Sequence, residues 1–352
     1  MALLLALAAG VLAQEPSPVP KASPAPFAAP SPSASPLPSA SPDPIAAAVA
    51  NARRLVEENR PADAVKALSG AGADPRVRAM TGVAYYHAND PLRAIEQLQA
   101  VLDVLPPDSP ERREAIQVLG LSHYLAGHLA QSIPFLEQTR AFAPDSSELA
   151  YVLGMAYIQT RQPDHARETW ARAFHVAPDS PAARLVAAQM MIRAEMDEMA
   201  QAELTAALEK DPRLPQARFL LGQTALFRGR LDEAIALFRK ELETNPGNAM
   251  AFYRLGDALT RQLRWDDALD ALQRSVWINP YFSGPYVLMG KAYQAKGDRV
   301  AAEGMLRRAI AFDPNNKAAH YLLAQLLQQA GRVDEARQEF DVAQRLQGAS
   351  ER

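Results

Sequence analysis

Six prolines recur at a constant distance: Pro144, Pro178, Pro212, Pro246, Pro280 and Pro314 stand 34 residues apart. Small residues keep the same interval 24 positions ahead of them, at Gly120, Gly154, Ala188, Gly222, Gly256 and Gly290, and Gly82 precedes Pro106 by the same distance. A second small residue follows each of these by 12 positions, in the series Ala94, Ser132, Ala166, Ala200, Ala234, Ala268, Ala302 and Ala336. Four further on sits a bulky apolar side chain, among them Trp170, Phe238 and Phe340. Length alone would suggest two or three separate domains for 352 residues, but this period overrides that count. Each unit is one supersecondary motif, too small to bury both its faces, so the core must come from stacking.

The landmarks have a direct physical meaning. Each repeat holds two helices of about 14 residues, roughly 21 Å long, packed antiparallel. Gly154 and Ala166 mark the closest approach of the two backbones, where nothing larger fits, and Tyr157 with Trp170 fills the space beside it. Pro178 then ends the second helix and sets the turn to the next pair. The stretches "VLGMAY…HARETWARAFHVAP" and "LMGKAY…AAEGMLRRAIAFDP" resemble the tetratricopeptide repeat family. The resemblance implies an all-α fold, a right-handed α-solenoid of stacked antiparallel helix pairs. It covers eight repeats, at 75–108, 113–146, 147–180, 181–214, 215–248, 249–282, 283–316 and 317–350, within 75–352. A degenerate pair over 45–74, opened by Asp43 as N-cap and Pro44 in the first turn, is expected to cap them. Pro106-Pro107-Asp108-Ser109-Pro110 lengthens one interval to 38 residues and predicts a kink there.

Residues 1–13, "MALLLALAAGVLA", read as a signal peptide with small residues at Val11 and Ala13 for cleavage. No basic residue precedes the apolar run, so a start further upstream, with a longer signal or an anchor, is the alternative; the run itself is too short to span a bilayer. Residues 14–44 carry 11 prolines in 31 residues and predict an extended polyproline II spacer. At about 3.1 Å per residue it reaches at most roughly 95 Å. These features predict export to the periplasm or cell envelope of a bacterium. The net charge of −3 is too balanced for a phosphate-binding surface, so nucleic acid is not an expected partner. The absence of cysteine excludes disulfides, thiolate zinc sites and a catalytic thiol.

In a solenoid of this kind the binding face is the concave one, lined by the first helix of each pair. Counting from the small landmark residue, positions −3, +1 and +4 share one side of that helix. The candidate partner-binding residues are therefore Tyr86, Leu121, Tyr124, Tyr151, Met155, Gln189, Phe219, Gln223, Tyr253, Asp257, Lys291 and Tyr321. The groove they predict is apolar and tyrosine-rich early and glutamine-rich late, which suits an extended or helical peptide. For any one of them, packing between repeats is the competing role. The lysine and asparagine clamp that some family members use for acidic tails is not matched, since this face holds one lysine, Lys291, and no asparagine. Polyproline II pairs well with tyrosine-lined surfaces, so the proline-rich segment 14–44 could itself occupy the groove and would then be autoinhibitory.

Catalysis, a cofactor and a metal are not expected. His123 and His128 are five apart and so not on one helical face, and His87, His165, His175 and His320 share no spacing. Asp232-Glu233 and Asp266-Asp267 recur at the repeat turn, where they are expected to cap a helix. The repeat at 181–214 lacks the usual turn glycine, carrying Glu195 instead, and gathers Met190, Met191, Met196 and Met199. Thioethers can hold copper(I), but core filling is the preferred role for these methionines. The function expected is a non-catalytic, exported scaffold that binds a peptide or protein in its groove. The alternative is an accessory of a polysaccharide-export or outer-membrane assembly machine, with an enzyme third.

Overall fold

Eighteen helices and no strand occur among the described residues, which run from 43 to 350 in this computed structural model. The leader expected over 1–13 and nearly all of the spacer expected over 14–44 lie outside the described residues. The helices come in pairs. First are α1 (Pro44–Glu57) with α2 (Pro61–Leu68), α3 (Pro75–His87) with α4 (Pro91–Gln99), and α5 (Pro110–Leu125) with α6 (Leu129–Phe142). Then come α7 (Ser147–Gln159) with α8 (Pro163–Ala173), α9 (Pro181–Arg193) with α10 (Asp197–Lys210), and α11 (Ala217–Phe227) with α12 (Leu231–Thr244). The last three are α13 (Ala249–Arg261) with α14 (Trp265–Ile278), α15 (Ser283–Ala295) with α16 (Arg299–Phe312), and α17 (Lys317–Gln329) with α18 (Val333–Ser350). Pair mates pack on each other, each second helix packs on the next first helix, and α3 touches α5 as α5 touches α7. This stacked unit, Pro44–Arg352, divides from Met1–Asp43. No helix among the described residues is long and apolar enough to cross a membrane.

Local chemistry sets the helix ends. Six first helices start on a short polar cap whose side chain accepts a backbone N–H of the first turn: Asp74, Ser109, Ser146, Ser180, Asn248 and Asn316. The turn inside each pair closes on a left-handed residue, seen at Asn59, Asn89, Gly127, Arg161, Glu195, Gly229, Leu263, Gly297 and Gly331. At Gly127 the N–H donates to the Tyr124 carbonyl at 3.1 Å while the His128 N–H donates to the His123 carbonyl at 2.8 Å, a Schellman arrangement. Glu195 and Leu263 adopt φ of 59° and 60° although neither is glycine. That backbone costs a residue with a side chain on the order of 1 kcal/mol, offset by the stacked helices on both sides.

The small landmarks are where helices touch. A Cβ added at Gly154 would stand 2.4 Å from the Trp170 indole, and one at Gly82 would stand 2.5 Å from Leu98. Trp170 is 2% exposed, and Phe238, Leu98, Leu136, Leu204, Leu272 and Leu306 are fully buried at the same position of their repeats. At the lengthened interval α4 stops at Gln99, residues 101–109 turn, and Val101 and Leu105 are buried. The Arg112 guanidinium fastens this segment by donating to the carbonyls of Leu102 and of Leu105, the latter at 3.1 Å. Because Ser109 caps and Pro110 occupies the first turn, α5 begins three residues ahead of 113.

One expectation about charged residues is corrected. Asp232-Glu233 and Asp266-Asp267 lie in the first turn of α12 and α14, while the N-cap positions are Arg230 and Arg264, without side-chain caps. The acids instead tie one repeat to the next, since the Gln262 amide donates to Asp232 at 2.8 Å and Lys296 pairs with Asp266. Arg228 with Asp197 at 3.2 Å is a further rung of this edge. The structure adds a buried ionic cluster of which the period carries no sign. Glu203 on α10 accepts from Arg167 on α8 at 2.5 Å and from Arg184 on α9 at 2.9 Å, with Arg167 7% and Glu203 6% exposed.

Candidate functional site

The first-helix face begins with three tyrosines on three successive first helices: Tyr86 on α3, Tyr124 on α5 and Tyr151 on α7. All three are half-buried, packed by their ring flanks against core clusters, with Leu121 beside them. Electrostatics shows that they are neighbours. Burial and the nearby Tyr151 push the Tyr124 hydroxyl up from its ordinary pKa, partly offset by a hydrogen bond from the Gln159 amide. Burial and the carboxylate of Glu148, at the start of α7, push Tyr86 up in the same way. Among the described residues the hydroxyls of Tyr86 and Tyr151 have no hydrogen-bond partner. Core tyrosines differ: Tyr157 donates to Glu137 at 2.5 Å and Tyr286 to the Pro280 carbonyl at 2.9 Å.

The other sequence candidates do not join this patch. Met155 is a correction: it is 8% exposed and packs in the core, as do Ile158, Leu226 and Thr260 on the same register side. Their side chains are covered where the next repeat stacks, the competing role that periodicity could not rule on. Gln189 donates to Gln216 at 3.4 Å, and Gln223 is half-buried nearby on α11. Phe219 stacks toward the core, its ring 6.0 Å from Phe238. Tyr253 meets Phe282 edge-on at 4.8 Å, with the Arg254 guanidinium 5.2 Å from its ring. Asp257 is paired with Arg261 at 3.0 Å, Lys291 is exposed, and Tyr321 is 48% exposed with its ring 5.7 Å from Phe340. Sequence reasoning passed over Gln159 and Glu148, which fall outside the −3, +1 and +4 positions. Their polarity at the ends of α7 was the only available signal.

Three further features bear on chemistry. His123 and His128 are brought to 5.6 Å between ring centroids, because α5 ends between them and the chain turns at Gly127. His123 is buried, stacked on Phe135, and accepts from the Gln99 amide at 3.2 Å through Nε2, so its proton sits on an unpartnered Nδ1. Burial first and His128 second push its pKa down, so protonation is disfavoured in the folded state. Met191 is fully buried, and Met190, Met196 and Met199 pack against the same core cluster. A shallow groove of about 720 Å³ lies between α12, α13 and α14, lined by Arg239, Phe252, Arg274 and Trp277.

The family models agree with this repeat organisation. Sequence models described as tetratricopeptide repeat match residues 123–190 and 293–351, and a second such model matches 49–110, 198–249 and 242–281. Among solved structures, one described as MamA is 25% identical over 45% of this chain and 93% of its own, with a TM-score of 0.42. A MamA fragment from Desulfovibrio magneticus RS-1 is 22% identical over 49% of this chain and 97% of its own, with a TM-score of 0.45. YrrB, described as a repeat protein of the same kind with an unusual peptide-binding site, is 22% identical over 52% and 94%, with a TM-score of 0.44. No curated protein matches the sequence.

Proposed function

Because the chain belongs to the tetratricopeptide repeat family, we propose that it is an exported, non-catalytic scaffold holding a peptide or protein partner along its first-helix face. The observation that carries the reading is the patch of Tyr86, Tyr124 and Tyr151 on three successive first helices, all half-buried, with the Tyr86 and Tyr151 hydroxyls unpaired among the described residues. A half-buried aromatic with a free polar tip contributes contact area at little entropic cost, the composition of interface anchors. Capture of a partner from envelope extract on residues 45–352, followed by titration, tests it. Tyr124→Ala or Tyr151→Ala should weaken that partner by about 2 kcal/mol, roughly thirtyfold. Tyr281, 77% exposed at an inter-repeat turn, supplies the control variant Tyr281→Ala, which should bind as the parent does. Full affinity in the Tyr124→Ala/Tyr151→Ala double variant would sink the assignment.

Export is supported by the apolar run over 1–13 and the proline-rich stretch that follows it. The mature protein should then begin at Gln14 and be recovered from the envelope fraction. Intact mass measurement decides this, and cytoplasmic protein retaining Met1 would overturn it.

A further inference from the structure

Resting on that reading of the first-helix face, we propose that the ligand it takes is a proline-rich polyproline II segment carrying a lysine. Three observations converge. The first is the imbalance of hydrogen-bonding groups: the patch offers phenolic donors at Tyr86 and Tyr151, with neither tied to an acceptor among the described residues. A helical ligand has satisfied its backbone carbonyls except those of its last turn, so along most of its length it offers those phenols no free backbone acceptor. A polyproline II chain has no internal hydrogen bonds, and each proline removes a donor while keeping its carbonyl, so it arrives rich in acceptors. The second is pitch. Such a chain turns once every three residues, about 9 Å along its axis, and packed helices lie about 8–10 Å apart. A segment crossing α3, α5 and α7, which touch in succession, therefore sets one residue of the same face over each helix. The third is charge. Glu148 is exposed beside Tyr86 and forms no ion pair, whereas the neighbouring acid Glu114 is already bound by Arg53 at 2.6 Å. A lysine in the ligand would complete Glu148.

The test uses the full chain and a fluorescein-labelled peptide of four Ala-Pro-Lys-Pro units, read by anisotropy. Saturable binding is expected, weakened about fivefold by each of Tyr86→Phe and Tyr151→Phe, which delete a hydroxyl and keep the ring. Glu148→Gln should weaken this peptide about threefold and leave an Ala-Pro-Ser-Pro peptide unchanged. Tyr281→Phe should alter nothing. The proposal is overturned if neither peptide saturates, if the Tyr86→Phe/Tyr151→Phe double variant binds as the parent does, or if an amphipathic helical peptide of equal charge binds more tightly. Should a partner captured from extract still depend on Tyr124 and Tyr151 while the proline-rich peptides fail, the polyproline assignment falls and the scaffold reading stands. Loss of tyrosine dependence in both assays removes both.

Discussion

Trp170→Ala should lower the unfolding free energy by about 4 kcal/mol, measured by urea denaturation of the full chain. The indole is 2% exposed and lies against Gly154, where even one added carbon would approach it to 2.4 Å. Deleting it removes the largest fully buried side chain and leaves a void that two packed helices cannot close without moving their neighbours. Part of that loss has an offset, since the indole N–H has no acceptor in the folded protein. Trp170→Phe, which installs the residue type found at Phe238, should therefore cost much less than alanine. The companion variant Gly154→Ala forces its methyl into a rigid, enclosed ring and should cost about 1–3 kcal/mol alone. Combined with Trp170→Ala, the same methyl enters the void and should be nearly neutral or favourable, an interaction that a double-mutant cycle isolates. Additive costs would mean that the two residues are not in the contact described. In a stacked array the damage should also broaden the transition, as pairs on either side of α7 and α8 unfold with less coupling.

Glu203→Ala should cost about 3 kcal/mol, a large effect for a polar substitution. Its carboxylate is buried between two guanidinium groups, Arg167 at 2.5 Å and Arg184 at 2.9 Å. Truncation leaves Arg167, 7% exposed, without its main counter-charge. The loss stays toward the lower end of the range for such deletions, because Arg167 keeps Asp164 at 2.8 Å and donates to the Pro178 carbonyl at 3.1 Å. Burial opposes the charge on this guanidinium, yet the surrounding acids outweigh it and hold its pKa above the ordinary value. Replacing Arg167 and Glu203 together by methionine and leucine should recover most of the stability, since buried pairs exchange for apolar residues at little net cost. A single-variant loss below about 1 kcal/mol would show that the cluster is hydrated and contributes no more than a surface pair.

The repeat architecture was legible from residues because its determinants are local. A helix pair requires an apolar stripe on each helix, a small residue where backbones meet, a bulky one beside it, and a turn that admits a left-handed residue. Gly120, Leu136 and Gly127 announce these needs within one repeat. Even Glu195, which breaks the turn consensus, takes the same conformation, since the helices on both sides impose it. The candidate site was legible only in part. Register placed Tyr86, Tyr124 and Tyr151 on one side of their helices, but it placed Met155 there equally, and Met155 is covered.

Sequence by itself determined the period, the pairing of helices and the small-to-bulky contacts that join them. Each of these depends on side chains a few positions apart on one helix or facing each other within one pair. Tertiary structure alone decided which first-helix side chains stay open and that Glu203 would sit between two arginines. Those outcomes depend on the rotation and offset of one repeat on the next. That geometry is set by the summed packing of side chains about 34 residues apart, which no spacing within a single repeat encodes.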